Sequence, residues 1–280
     1  MDGKALAARI RAEVAAEVAA FGRPIGLATV LVGDDPASEV YIRLKHEASL
    51  QAGLAAQDIR LPADTTEGEL LAVVAELNAD DAIDGLLVQL PLPKQIDEGR
   101  IIRALDPVKD VDGIHPFNAG LLVAGTAAHV GATPLGVLAL LDEYDVELQG
   151  AHAVVIGRSD IVGKPAALLL LHRHATVTIC HSRTRDLATE ASRADVLVAA
   201  VGVPGIVQPR MVKEGAAVID VGITRTDAGL VGDVAPEVAE HAGFLTPVPG
   251  GVGPMTIAML LKSTIRAARY RARELAHPGA

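Results

Sequence analysis

Ala153-Val-Val-Ile156-Gly157-Arg-Ser-Asp-Ile-Val-Gly163-Lys-Pro165 is the segment from which the architecture can be read. A short apolar run passes into a glycine turn and then into a helix start, with Pro165 in the first helical turn, where a missing N–H costs nothing. A turn of this kind gathers backbone N–H groups and the positive end of a helix at one spot, which suits the phosphates of a nucleotide. The spacing is not that of the Gly-x-Gly-x-x-Gly fingerprint, so the reading rests on context. Downstream the chain reads as strands at 176–180, 195–201 and 216–221, with a helix and a turn between them. That succession of βα units predicts a parallel sheet with helices on its faces.

The end of the second strand of such a unit is where an adenosine ribose is read. A carboxylate there would bond the free 2′-hydroxyl of NAD, but the strand runs into His181-Ser182-Arg183-Thr184. Ser182, Arg183 and the earlier Arg158 instead offer a hydroxyl and guanidinium forks to a 2′-phosphate. The cofactor expected is therefore NADP rather than NAD.

Composition bounds the rest. The chain has 280 residues, half of them apolar, enough for two domains with sizeable cores. With three Phe, three Tyr and no Trp, those cores must be built from Ala, Val, Leu and Ile, as buried parallel strands require. A net charge of −10 argues against nucleic-acid partners and anionic membrane surfaces. Cys180, the single cysteine, falls in an expected strand, so neither a disulfide framework nor a Cys-based zinc site can be built, and a reducing compartment follows. The N-terminus lacks a signal-peptide core and polar residues such as His129 interrupt the apolar regions, so a cytoplasmic protein is expected.

The first half also alternates, with strands at 27–32, 58–61 and 85–90 and helices from Ser38 and Gly68. The segment 123–133 is the expected crossing between domains, followed by a helix at 135–144. Ser38 is placed as the N-cap of its helix, and Tyr41 and Lys45, four residues apart, present a phenol and an amine on one face. Strand residues Gly85-Leu-Leu-Val-Gln89-Leu-Pro91 set a lone amide at the carboxyl end of an apolar strand, where α/β folds bind ligands. The loop Asp106-Pro-Val-Lys109-Asp110-Val-Asp112-Gly113-Ile-His115 is rich in acids, but it lacks a calcium-hand register and has one imidazole, so no metal is expected. Near the C-terminus, Thr246-Pro-Val-Pro249-Gly250-Gly251-Val252-Gly253-Pro254-Met-Thr256 links a strand at 243–245 to a helix at 257–275. Its glycines let a ligand lie on backbone at a helix N-terminus.

Ser38-x-x-Tyr41-x-x-x-Lys45, Val88-Gln89-Leu90-Pro91-Leu92-Pro93, Lys109-Asp110-Val111-Asp112-Gly113, the Gly157–Pro165 turn and Pro247-Val-Pro-Gly-Gly-Val-Gly-Pro254-Met-Thr256 stand in this order along the chain. Together they resemble the bifunctional methylenetetrahydrofolate dehydrogenase/methenyltetrahydrofolate cyclohydrolase family over nearly the whole length. The resemblance implies an α/β fold with two α/β domains flanking a cleft, the second a Rossmann-like parallel sheet binding NADP. It sets a folate-binding catalytic domain at 1–134, completed by the helix at 255–280, and the NADP domain at 135–254. It implies a central catalytic lysine at Lys45, helped by Gln89 and Tyr41, with Asp112 holding the polar edge of the pterin. A carboxylate can accept from the amino and ring N–H of a pterin, and a phenol can pack on its face. The substrate would be met by Tyr41, Lys45, Val88, Gln89, Leu90, Asp112, Pro249, Gly250, Gly251, Val252 and Gly253. The cofactor would be met by Gly157, Arg158, Ser159, Ile161, Val162, Ser182, Arg183 and Ile223.

Implied with it are tetrahydrofolate derivatives as substrates, a homodimer formed through the nucleotide domain, and a place in one-carbon metabolism and purine biosynthesis. The family usually carries Cys-Thr-Pro-Lys/Arg-Gly at the domain crossing, where this chain has Ala132-Thr133-Pro134-Leu135-Gly136. A thiol and a cation are missing there. Two other readings stay open: a dehydrogenase without the hydrolytic step, and a relative that binds folate without turnover.

Overall fold

The computed structural model describes residues 1–227 and 229–278, the side chains of 36–38 excepted. In chain order the elements are α1 (Gly3–Ala20), β1 (Gly26–Val32), α2 (Pro36–Gln51), β2 (Ala55–Leu61), α3 (Glu67–Ala79), β3 (Gly85–Val88), α4 (Glu98–Ala104), α5 (Pro116–Val123) and α6 (Ala132–Glu143). They continue as β4 (His152–Ile156), α7 (Gly163–His172), β5 (Thr176–Cys180), α8 (Leu187–Ala191), β6 (Val196–Ala199), β7 (Ala217–Asp220), β8 (Thr224–Thr226), β9 (Gly229–Val231), β10 (Phe244–Leu245) and α9 (Val252–Arg271). The chain divides into two compact units, one of residues 9–130 and 260–280, the other of residues 1–8 and 131–259.

The unit of residues 9–130 and 260–280 is built on a parallel sheet of order β2-β1-β3. All seven residues of β1 are buried, as a central strand covered on both faces demands. β2 is an edge strand, and its burial falls off accordingly. The core joins Ala28, Val30, Leu70, Val74, Leu86, Val88 and Ile101. Helix α3 starts at a capping box in which Thr66 Oγ1 accepts from Glu69 N and Glu69 Oε2 accepts from Thr66 N. Its other end is closed by an unusual device. Lys109, only 2% exposed, donates from Nζ to the carbonyls of Leu77, Asn78 and Asp80 at 3.0, 2.7 and 2.7 Å. One ammonium thus satisfies the acceptors that a helix C-terminus leaves open.

The other unit carries a five-stranded, all-parallel sheet of order β10-β7-β6-β4-β5 and a small antiparallel hairpin, β8-β9. The chain runs from β4 outward to β5, then returns to β6 on the far side of β4. The sheet therefore reverses direction of winding between β4 and β6, the switch point at which open α/β sheets bind ligands. β4, β6 and β7 are almost wholly buried and apolar but for His152 at the start of β4 and Asp220 at the end of β7.

Several boundaries differ from the sequence reading. Helix α2 begins at Pro36, a residue preorganised for a first turn, so Ser38 lies within that turn and not at its cap; its side chain lies outside the described residues. β6 ends short of the expected Val201, whose N–H leaves the ladder to bond Asp233 Oδ2, and β7 spans Ala217–Asp220 against the expected 216–221. Helix α9 begins at Val252, five residues early, since Pro254 falls where no N–H is needed.

Candidate functional site

Within the unit of residues 9–130 and 260–280, α2 and the end of β3 bring two of the expected groups together. Lys45 Nζ donates to Gln89 Oε1 at 3.1 Å. Gln89 N extends the β3 ladder by bonding Val30 O at 2.8 Å, and its side-chain Nε2 is tied to Leu90 O at 2.8 Å. The amide is thereby oriented with its oxygen toward the amine. The Leu90–Pro91 peptide is cis. Burial pushes the Lys45 amine below the ordinary lysine value, against the pull of the Asp112 carboxylate. Burial likewise raises the Asp112 carboxyl, and Lys45 opposes it. Lys45, Gln89 and Asp112 thus form one electrostatic group. Tyr41 stands one turn before Lys45 and is 38% exposed, with its ring open to a ligand. Val88 is buried in the core, with its side chain packed among the apolar residues of this unit.

The acidic loop is ordered by a residue to which the sequence reading gave no task. Asp110 is fully buried; its Oδ2 accepts from His115 N and Asn118 Nδ2, both at 2.8 Å, and Leu86 N bonds Lys109 O at 2.7 Å. Asp112 is carried between these anchors. His115 caps α5, its Nδ1 accepting from Phe117 N. Among the described residues no group of three His, Cys, Asp or Glu side chains is placed to hold a metal ion.

In the other unit the Gly157–Pro165 turn lies at the switch point. Gly157 has φ +128°, and a Cβ there would fall 2.4 Å from Ala200 O at the end of β6. A Cβ on Gly163 would fall 2.3 Å from Gly157 O. Both glycines are thus required by close packing of turn, strand and helix. Ser159 does more than line the turn: its Oγ accepts from Val162 N and Gly163 N, each at 3.2 Å, and its carbonyl accepts from Lys164 N. The first N–H groups of α7 are spent within the protein, which leaves the turn at 158–161 as the stretch open to an anion.

Arg158, Ile161, Ser182 and Arg183 are exposed, and Val162 is half-buried. The turn after β5 is held by Thr184 Oγ1 accepting from His181 N and by His181 Nδ1 accepting from Arg183 N. The C-terminal loop closes with Gly251 N on Pro247 O at 2.8 Å and has a cis Val248–Pro249 peptide. A Cβ on Gly253 would touch Ile223 Cδ1 at 3.5 Å, so an expected substrate residue and an expected cofactor residue are neighbours. Ala132 is buried and Leu135 half-buried at the start of α6, while Thr133 Oγ1 and Thr256 Oγ1 are hydrogen-bonded at 2.9 Å.

A doubly wound parallel sheet with a glycine turn at its switch point, joined in one chain to a second α/β unit holding a lysine–amide pair, defines a two-domain dinucleotide-binding protein. Residues 131–272 match the family model described as tetrahydrofolate dehydrogenase/cyclohydrolase, NAD(P)-binding domain, and residues 1–112 match that of its catalytic domain. The bifunctional protein FolD of Halothermothrix orenii is 55% identical over 276 residues, covering 96% of this chain and 98% of that protein. The structure of the bifunctional FolD enzyme from Campylobacter jejuni superposes with a TM-score of 0.94 at 45% identity, covering 96% of this chain and 98% of that one. That of the Trypanosoma brucei enzyme, complexed with NADP and an inhibitor, gives 0.93 at 41% identity, with 98% of each chain covered. The chain belongs to the tetrahydrofolate dehydrogenase/cyclohydrolase family. No helix among the described residues is long and apolar enough to cross a membrane.

Proposed function

We propose that this protein oxidises 5,10-methylenetetrahydrofolate to 5,10-methenyltetrahydrofolate with NADP+ and hydrolyses the product to 10-formyltetrahydrofolate. The observation that carries the reading is the Lys45 Nζ–Gln89 Oε1 hydrogen bond, with an amine shifted toward neutrality by burial. Family membership and the bifunctional names of its relatives support it.

The nucleotide end fits NADP on its chemistry. Gly157 lets the turn pack directly on Ala200 at the switch point, the N–H groups of 158–161 are available, and no carboxylate stands in the exposed stretch Ser182-Arg183 after β5. Gly157, Arg158, Ser159, Ile161 and Val162 would hold the phosphate-bearing part, Ser182 and Arg183 the ribose phosphate, and Ile223 an apolar face. Bound NADP+ supplies the hydride acceptor.

The residues around Lys45 serve both steps. Asp112 accepts from the amino and ring N–H of the pterin, and Tyr41 packs on its face. Val88 and Leu90 offer main chain, while Pro249, Gly250, Gly251, Val252 and Gly253 form a second contact surface. Hydride loss leaves a cationic one-carbon bridge, and geometry rather than a side-chain base governs that step. In hydrolysis, water adds to the bridge carbon and the neutral Lys45 amine takes one of its protons; the remaining hydroxyl proton is then lost from oxygen and N5 gains a proton as the bond from that carbon to N5 breaks, leaving the formyl group on N10. Gln89, fixed by its own bond to Leu90 O, orients the amine. We place the enzyme in the cytoplasm as a homodimer acting in one-carbon metabolism.

Paired assays of the wild type and Lys45→Met test this. Wild type should perform both reactions, and its hydrolysis should rise with pH to a plateau reached below the ordinary lysine value of 10.5. Lys45→Met should lose hydrolysis by at least about a hundredfold, the usual scale of a removed general base. A variant that still hydrolyses at the wild-type rate would sink the assignment.

A further inference from the structure

The unit of residues 1–8 and 131–259 contains two buried carboxylates that the scheme above does not use. Asp220, at the end of β7, is 4% exposed and Asp233, after the β8-β9 hairpin, is fully buried. Among the described residues neither forms an ion pair with Lys, Arg or His. Their partners are backbone N–H groups. Asp233 Oδ2 accepts from Val201 N at 2.7 Å and Gly202 N at 3.1 Å, while its Oδ1 accepts from Val203 N at 2.7 Å. Three consecutive N–H groups converging on one anion make a nest, filled here by the chain's own side chain. Asp233 is itself held by Asp220, whose Oδ1 accepts from Asp233 N at 2.9 Å and Gly222 N at 3.1 Å, and whose Oδ2 accepts from Val234 N at 3.0 Å. The fit leaves no slack. A Cβ on Gly222 would fall 2.1 Å from Asp233 Oδ1, and one on Gly232 would fall 1.9 Å from Asp220 Oδ2.

The location gives this pair its meaning. The nest is the first turn after β6, beside Ala200, whose carbonyl packs on Gly157 at the switch point. The segments stitched together carry Val201, Val203 and Ile223, aliphatic side chains that are 37%, 47% and 39% exposed. They lie at the carboxyl ends of β6 and β7, where a flat ring of a bound dinucleotide would rest. Burying two carboxylates without a cation is costly, and a neutral turn would close a loop more cheaply. What the carboxylates add is a fixed position for three consecutive residues.

We propose that Asp233, held by Asp220, is a positioning residue that sets the shelf Val201–Val203 and Ile223 for the dinucleotide. The inference rests on the NADP-dependent reading above and deepens it. Its mark is a separation between cofactor binding and the hydrolytic step, which needs no dinucleotide.

The test compares wild type, Asp233→Asn and Gly222→Ala, the last crowding the Asp233 carboxylate out of place while keeping its charge. NADP+ binding is measured by equilibrium dialysis, beside KM for NADP+, turnover at saturating NADP+ and methenyltetrahydrofolate hydrolysis. Both variants should weaken NADP+ binding and raise its KM by about tenfold, the scale of one lost charged hydrogen bond, with turnover and hydrolysis within about twofold of wild type. Unchanged NADP+ affinity in either folded variant overturns the proposal, as does a parallel fall of binding and hydrolysis in both, which would mark a merely structural pair. If Asp233→Asn does not fold, Gly222→Ala decides by the same readouts. An inactive wild type defeats the functional reading, whereas dialysis still judges the shelf.

Discussion

At the scale of single residues, two lysines with depressed basicity have opposite fates. Lys45 keeps one partner, Gln89, and its neighbour Asp112, and it stands on a helix face with Tyr41. Lys109 is closed off by three carbonyls, its basicity lowered first by burial and then by the nearby Arg271. The sequence displays both in motifs of similar weight, and nothing in the spacing separates the amine proposed as a base from a helix cap. Lys109→Met should leave three buried acceptors unpaired and destabilise the fold by roughly 3 kcal/mol, read by urea unfolding. A midpoint equal to that of wild type would contradict the capping role. Asp220 and Asp233 could have been noticed: an acid ending the apolar run Ala217-Val-Ile-Asp220 breaks its pattern as plainly as Gln89 breaks that of β3.

At the scale of elements, the turn from β4 to α7 was legible because its glycines answer to steric demands that hold in any fold. What the sequence concealed is the use of Ser159, which consumes the N–H groups of Val162 and Gly163 and shifts anion contact to the turn itself. The arginines of two separate turns, Arg158 and Arg183, are both exposed, and among the described residues neither has an ion-pair partner. Replacing Arg183 with Ser should therefore raise KM for NADP+ by about tenfold or more, as expected for the loss of a guanidinium–phosphate pair, while NAD+ changes little. Equal losses with the two dinucleotides would remove Arg183 from the 2′-phosphate.

For the whole molecule, the buried acids set how stability responds to pH. Desolvation pushes the Asp220 carboxyl from 3.8 up to about 6, against the pull of its backbone N–H partners and with Asp233 adding repulsion. The folded chain thus holds a proton that the unfolded chain has released, and between these values this group lowers stability as pH rises. Asp220→Asn removes that dependence. Relative to wild type, the variant should gain about 2 kcal/mol between pH 4 and pH 6.5, from roughly 1.7 pH units of linkage at about 1.36 kcal/mol each. Urea unfolding at the two pH values reads it, and a stability difference that does not change with pH would refute the assignment. The acids with lowered values, such as Asp195 paired with Lys213, work in the opposite sense: their contribution is present above the ordinary carboxylate range and fades as pH falls.

Local pattern was enough for the class of each unit and for the positions of the proposed site motifs, because apolar runs, glycine turns and helix spacing report local sterics and burial. Tyr41 and Lys45 share a face through helix geometry alone, and the βα succession after Gly157 dictates a parallel sheet. Which distant groups meet emerged only on folding: Lys45 with Gln89 across 44 residues, Lys109 with the end of α3 about 30 residues away, and Asp233 with the turn after β6. Those pairings depend on strand order and on the paths of loops, which no local pattern encodes. They also depend on burial, which turns an ordinary lysine or aspartate into one with a shifted proton affinity.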